Sequence, residues 1–338
     1  MEKYNTAMKK MFPAFRDVVG IDFGTSATKV VRIKAGNSGS RTVVAADVLP
    51  PCPLKGDSTG DAPKFQLPRK LTAWTAAVAF SSASSILKLV SEPQGTTYGS
   101  KDIPELLGIP KDSDLRTGMS RFESEEEKSV LIVGVPSAEI AKIPTLFTSG
   151  KPVLAHAELA GLAALSRACD IYGDETVNGC DLVMDFGANM TTLGLFVKKR
   201  PQVIRQFTEG FSSVLNAVKR DFQTDDQTSL DIILSGQVDI GATLHAALSG
   251  ILRQAGIAAD FAERKTGARL SRIFLCGGFS NCKGLQTEIN AALSIESEIV
   301  NPWKKMTVLP NAVSDNAKNS GACFAAATAA AIACLEGK

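Results

Sequence analysis

Apolar residues along this chain come in short runs that break at glycine and polar turns, and two of these runs repeat one another. Val18-Val19-Gly20-Ile21 leads into Asp22-Phe23-Gly24, turns through Thr25 and Ser26 towards Lys29, and leaves as Val30-Val31-Arg32-Ile33. Leu182-Val183-Met184 leads into Asp185-Phe186-Gly187, turns through Ala188 and Asn189, and leaves as Leu193-Gly194-Leu195-Phe196. Short apolar runs bounded by turn residues predict strands, so each stretch reads as a hairpin. A glycine in such a turn lets backbone amides approach an anion, and an aspartate at the strand end can hold a hydrated metal ion. One hairpin in each half predicts a nucleotide held between two related domains.

The same pattern places the remaining elements. Thr42 to Val48 is strand-like and completes three consecutive antiparallel strands after the first hairpin. Residues 50–68 are rich in Pro, Gly, Asp and Ser and read as a loop. Ala76 to Phe80 and Ile86 to Val90 read as a strand pair, Ser129 to Val135 as a buried strand, and 155–168 as an Ala/Leu helix. Gln202 to Phe207 reads as a further strand, and residues 212–222 and 243–264 as helices, the second carrying Leu244, Ala247, Leu248, Ile251 and Leu252 at helical spacing. Ser271 to Cys276 is a strand running into Gly277-Gly278, followed by a helix over 284–293 and an Ala-dense helix over 321–335.

Composition narrows the class. The chain has 338 residues, 44% hydrophobic and 21% charged, with a net charge of +2 and seven cysteines. That length supports two cores, and the near-neutral charge without a basic, aromatic-laced stripe argues against nucleic acid as a partner. An odd number of cysteines without paired metal spacing suits buried thiols in a reducing compartment, so the expected location is cytoplasmic. Residues 1–16 hold scattered rather than continuous apolar side chains, which reads as a tail and not a signal peptide. No run reaches the ~20 apolar residues of a membrane span. His156 and His245 lack ligand-spaced neighbours, and Trp303 after Asn301-Pro302 reads as a packing anchor.

A strand ending in Gly277-Gly278 is a place where a nucleoside can lie against bare backbone. Two Asp-Phe-Gly hairpins followed by this turn, in that order, resemble the actin-like ATPase superfamily, and within it most of all the PilM family of type IV pilus assembly. Arg200-Pro201-Gln202-Val203, Gly284-Leu285 and Val300-Asn301-Pro302-Trp303 add to the resemblance, which runs from about Val18 to the C-terminus.

The resemblance implies an α/β, actin-like ATPase fold: two ribonuclease-H-like domains with inserted subdomains. Its division would be a tail (1–16), a first domain (17–70 and 148–180, with helix 321–338 packed on it), and an inserted subdomain (71–147). A second domain (181–211 and 266–320) and a helical cap (212–265) would follow. ATP and Mg2+ would be the ligands. Asp22 and Asp185 would hold the metal ion from opposite sides. Gly24, Thr25, Ser26 and Lys29 would meet the β- and γ-phosphates, and Gly187, Ala188 and Asn189 would offer amides to the terminal phosphates. Gly277, Gly278 and Phe279 would border the adenosine, and Glu158, near the start of an interdomain helix, would orient the attacking water as the catalytic residue.

The implied partner is the cytoplasmic N-terminal tail of a PilN-like inner-membrane protein, held in a groove beside the inserted subdomain. The chain itself would be peripheral to the inner face of the membrane through that partner, with self-association left open. Three features depart from the pattern: Phe279 follows the double glycine where a small residue is usual, no lysine occurs between Lys219 and Lys265, and only Lys101 to Leu107 stands where a longer helix is usual. At most slow ATPase activity is implied. A filament-forming ATPase resembling FtsA, a small-molecule kinase and a nucleotide-free scaffold remain alternatives.

Overall fold

The computed structural model describes residues 16–36, 39–52, 65–124, 127–147, 150–175, 179–318 and 320–337. The predicted tail, Arg16 apart, and most of the predicted loop over 50–68 lie outside the described residues. Strands β1 (Asp17–Phe23), β2 (Thr28–Ala35) and β3 (Arg41–Leu49) are consecutive antiparallel neighbours. Strands β4 (Thr75–Phe80), β8 (Val153–Leu159) and β14 (Thr307–Val308) extend them in parallel, in the order β14-β3-β2-β1-β4-β8. A second sheet repeats that opening: β9 (Cys180–Phe186), β10 (Thr191–Val197) and β11 (Arg200–Phe207) are antiparallel, and β12 (Leu270–Cys276) and β13 (Ser297–Ile299) add in parallel, in the order β11-β10-β9-β12-β13.

Both sheets are covered on both faces, which is why their central strands read as unbroken apolar runs instead of alternating ones. On the first sheet, Val18, Val31 and Ile33 face one core while Val19, Ile21 and Val30 face another. Helices α3 (Ala160–Tyr172) and α8 (Ala325–Glu336) lie between the two sheets and share one core with Val31 of the first and Val183 and Phe274 of the second. Alanine combines high helix propensity with a minimal side chain, so these helices can sit close to the strands. A Cβ at Gly20 would collide with the Ala327 carbonyl of α8. Trp303 packs on Phe324 and donates its indole N–H to Thr328 Oγ1 at 3.1 Å, an anchoring role.

The outer face of the second sheet is buried under α4 (Phe211–Phe222), α5 (Asp226–Ser235), α6 (Gly241–Thr266) and α7 (Leu285–Leu293). Leu244, Leu248, Ile251, Leu252 and Ala255 of α6 supply the buried stripe. A third sheet, order β5-β7-β6, is made of β5 (Ile86–Glu92), β6 (Leu115–Glu123) and β7 (Lys128–Pro136), with the short helix α1 (Ile103–Leu107) on one face and α2 (Ser137–Thr145) after it.

Several expectations need correction. Ala76 to Phe80 and Ile86 to Val90 are not a pair: β4 lies between β1 and β8, whereas β5 pairs with β7 in the third sheet. Residues 75–80, grouped with the inserted segment in the sequence reading, are therefore part of the first sheet. Strand β14, grouped with the second domain, also pairs in the first sheet, beside β3. The helix read over 155–168 is a strand up to Leu159 and a helix only from Ala160. Strand β6, helix α2 and helix α5 were not foreseen.

Candidate functional site

The two Asp-Phe-Gly turns lie at matching ends of β1 and β9 and open into one cleft, a cavity of about 460 Å³ between the sheets. Asp22, Gly24, Thr25, Ser26 and Lys29 line it from the first sheet, and Asp185, Gly187, Ala188 and Asn189 from the second. Gly277, Gly278 and Phe279 border it from the end of β12, which is parallel to β9, so the third turn falls beside the second. Parallel pairing thus brings together residues about 90 positions apart in sequence.

Gly277 adopts φ +87°, and a Cβ there would collide with the Phe186 carbonyl, so only glycine fits. A Cβ at Gly278 would meet nothing within 4 Å, which leaves bare backbone facing the cleft. Phe279 turns inward: it is buried, with its ring centroid 5.1 Å from that of Phe211 and 6.1 Å from that of Phe186. The side chain that departs from the usual small residue is taken up by the core.

Lys29 Nζ lies 3.4 Å from Asp22 Oδ2, and both residues are buried. Burial raises the Asp22 pKa although Lys29 pulls it down. Burial opposes the charge on Lys29, but Asp22, Cys323 and Asp185 more than offset that and hold its pKa up. The Asp185 carboxyl is pushed up to about 7, first by burial and then by the charge of Asp22, against the pull of Lys29. Two buried carboxylates that share a single ammonium have room for another cation. No group of three or more His, Cys, Asp or Glu that could hold a metal ion occurs among the described residues. The donor set suits a hard divalent ion that brings phosphate and water oxygens with it, as Mg2+ does.

The expectation that Gly187 offers its amide to a ligand fails, because that amide closes the turn on the Met190 carbonyl at 2.9 Å. The turn is further fixed by Phe211 N–H to the Gly187 carbonyl at 3.0 Å, Ser212 N–H to the Ala188 carbonyl at 2.8 Å and Ser212 Oγ to Asn189 Oδ1 at 2.6 Å.

Glu158 lies near the start of α3, two residues ahead of it, but in the strand and not in the helix. It is the sixth residue of β8, opposite Ala79, and it lines a second cavity instead of the cleft. The next residue, Leu159, lines both cavities and is the N-cap of α3. Among the described residues, the acids that line the cleft are Asp22 and Asp185.

Among the residues lining the cleft that sequence reasoning did not assign to it are Gly161, Thr192, Gln206, Leu230 and Leu234. The first turn of α3 opens on the cleft, and its N-cap, Leu159, gives no side-chain hydrogen bond, so the helix end is uncapped where an anion would sit. A Cβ at Gly161 would collide with Thr192 Oγ1 of β10, so α3 packs closely on the second sheet there. A helix start lacking Ser, Thr, Asp or Asn was a signal available in the sequence. Leu230 and Leu234 bring α5 to the edge of the cleft.

A cleft between two sheets with the same opening, floored by paired aspartates, defines the actin-like ATPase fold. Residues 157–334, more than half of the chain, match the family model described as type IV pilus assembly protein PilM, and the chain belongs to that family. The structure entitled PilM-PilN type IV pilus biogenesis complex is similar over 94% of this chain and 98% of that one, with 19% identity and a TM-score of 0.76. More distant are a Bacteroides thetaiotaomicron protein with actin-like ATPase fold and unknown function (8% identity, 86% and 92% of the two chains, TM-score 0.48) and the ethanolamine utilization protein EutJ from Carboxydothermus hydrogenoformans (14%, 93% and 88%, 0.48). No curated protein matches the chain. Among the described residues no helix is long and apolar enough to cross a membrane.

Proposed function

We propose that the chain is a nucleotide-loaded scaffold of a type IV pilus or related secretion assembly, which binds Mg-ATP in the cleft and docks the cytoplasmic tail of a PilN-like inner-membrane protein. The observation that carries this reading is the convergence of Asp22, Lys29 and Asp185 on one buried floor beneath two glycine turns. Asp22 and Asp185 would hold the hydrated metal ion, and Lys29 would face the phosphates. The amides of Ala188 and Asn189 and the uncapped first turn of α3 would bind the terminal phosphates, while the bare backbone at Gly278 would take the nucleoside.

Turnover is slow or absent in this reading, since among the described residues the cleft offers no carboxylate besides the metal-facing pair, and Glu158 faces elsewhere. The tail would lie in the second cavity, about 680 Å³, between the third sheet and the two larger ones. The chain would thus work in the cytoplasm, at the inner face of the membrane, through its partner. The division into two domains, an inserted subdomain and a cap belongs to the same proposal, with residues 75–80 and 307–308 moved to the first domain. Stripped protein titrated with Mg-ATP, and then with a synthetic peptide of the PilN-like tail, tests both halves: saturable binding of each is expected, and rejection of ATP with tight peptide binding would leave a nucleotide-free scaffold.

A further inference from the structure

At the end of the first sheet away from the cleft, two large apolar side chains stand in solvent. Strands β1, β4 and β8 run parallel, so their first residues share that end, while Asp22, Phe80 and Leu159 near their other ends line the cleft. Trp74, just ahead of β4, is 53% exposed, and Val153, the first residue of β8, is 60% exposed. The two adjoin, because Val153 N–H donates to the Trp74 carbonyl at 2.8 Å. Neither lines the cleft or the second cavity. A single exposed apolar side chain is ordinary, but two that adjoin, one of them a tryptophan, mark a contact surface.

The charge around them turns one sign outward. Lys151 Nζ lies over the Trp74 ring. Val18 pairs with Thr75, so Asp17 flanks Trp74. The Asp17 side chain is only 19% exposed and is covered by Arg32 and by Lys34, whose side chain is 52% exposed. Arg32 Nη1 also donates to the Lys70 carbonyl at 3.3 Å, which joins Lys70 to the same surface. There the arrangement repeats: the exposed Lys70 side chain places Nζ 3.1 Å from the more deeply set Asp47. Arg69, its neighbour in the chain, is exposed as well. Both carboxylates thus lie inside and the ammonium groups outside. The chain enters β1 at this end, and the fifteen residues before Arg16 hold three lysines against one glutamate.

We infer that this end of the first sheet is a lipid-contact face: Trp74 and Val153 enter the headgroup region of an anionic leaflet, while Lys34, Lys70 and Lys151 meet its phosphates. An indole, apolar in body and polar at its N–H, favours the membrane–water interface, and each cation near an anionic leaflet adds to the attraction. A second copy of the chain is a poor occupant, because a symmetric contact would set the cations of one face against those of the other. Val153 lies three residues before His156, where β8 begins to line the second cavity, so the two places are about 10 Å apart along one strand. The docking proposed above would set this face against the bilayer, and the lipid contact stands without it.

The test is flotation of the full chain, without any partner, on vesicles of phosphatidylcholine mixed with increasing phosphatidylglycerol. The inference expects binding that grows with phosphatidylglycerol and is absent from phosphatidylcholine alone, together with a blue shift of tryptophan emission. Trp74→Ser should abolish that shift, since Trp303 is packed on Phe324. Trp74→Ser and Lys151→Ala should each lower partitioning at least about fivefold while the cooperative unfolding transition is retained. Failure to bind phosphatidylglycerol vesicles overturns the inference and leaves the docking of a partner's tail untouched. Binding that Trp74→Ser leaves unchanged and that deletion of residues 1–15 removes assigns the contact to that segment and overturns the face described. Self-association without vesicles that Trp74→Ser abolishes would make a second copy the occupant, and overturns it too.

Discussion

Lys29 Nζ and Asp22 Oδ2 lie 3.4 Å apart across the first hairpin, where their residues face each other in the β1–β2 register. The strand pairing sets this ion pair in place before any ligand arrives. Lys29 also feels Asp185 from the second hairpin, so one ammonium serves carboxylates of both sheets. Replacing it with methionine leaves two buried acids without a counter-charge. Lys29→Met is expected to destabilise the ligand-free chain by roughly 3 kcal/mol in urea unfolding, in the range for removal of one partner of a buried pair. Nucleotide affinity should fall at least about tenfold for the loss of a charge-assisted contact.

The Asp185 carboxyl, pushed up to about 7 by burial and by Asp22, makes the ligand-free chain pH-dependent. Its folded-state pKa lies above its unfolded value, so the folded state holds the extra proton. The stabilising contribution is complete below about pH 4 and is lost as pH rises through 7. Between pH 5.5 and 8 the melting temperature of the ligand-free protein should fall, and Asp185→Asn should flatten that part of the profile. A profile that is the same in the variant would remove Asp185 as its origin.

Gly277 has no room for a side chain and lies in the left-handed region of φ. Gly277→Ala should cost about 1–3 kcal/mol of stability through backbone strain alone, and more through the clash with the Phe186 carbonyl. Because that carbonyl follows Asp185, ATP affinity should drop with stability. Gly278→Ala, one residue on, meets no protein atom and should keep stability while weakening nucleotide binding. Differential scanning calorimetry with and without Mg-ATP separates the two variants.

Glu158 lines the second cavity and not the cleft. Glu158→Gln should therefore leave Mg-ATP affinity, and any residual hydrolysis, within about twofold of the parent, a difference under 0.5 kcal/mol. A hundredfold loss of hydrolysis with unchanged affinity would return Glu158 to a catalytic role.

What could be read from the chain follows from what is local. The hairpins at Asp22 and Asp185 carry their signal within a dozen residues, and the order of the three glycine turns suffices to bring them into one cleft. Strand β8 was hidden because Val153–Leu159 runs directly into α3 through alanines that suit a helix, with no capping residue between them. Strand β6 was hidden by its polar pattern and by Gly118, since an outer strand with few buried positions shows little hydrophobic periodicity. The partnership of β4 with β1 and β8 could not be read locally either, because a strand buried on both faces has no alternation to show which sheet it joins. Glu158 belongs to that hidden strand, in which it lines the second cavity and not the cleft.

The central claim is that Asp22 and Asp185 hold a metal-bound nucleotide between them. Calorimetric titration of Mg-ATP into stripped parent, Asp22→Asn and Asp185→Asn tests it most directly, because asparagine keeps the shape and removes only the charge. The account predicts saturable, magnesium-dependent binding to the parent, and at least about tenfold weaker binding in each variant, with the cooperative unfolding transition retained. Parent-like affinity in both variants, with the same dependence on magnesium, would contradict it.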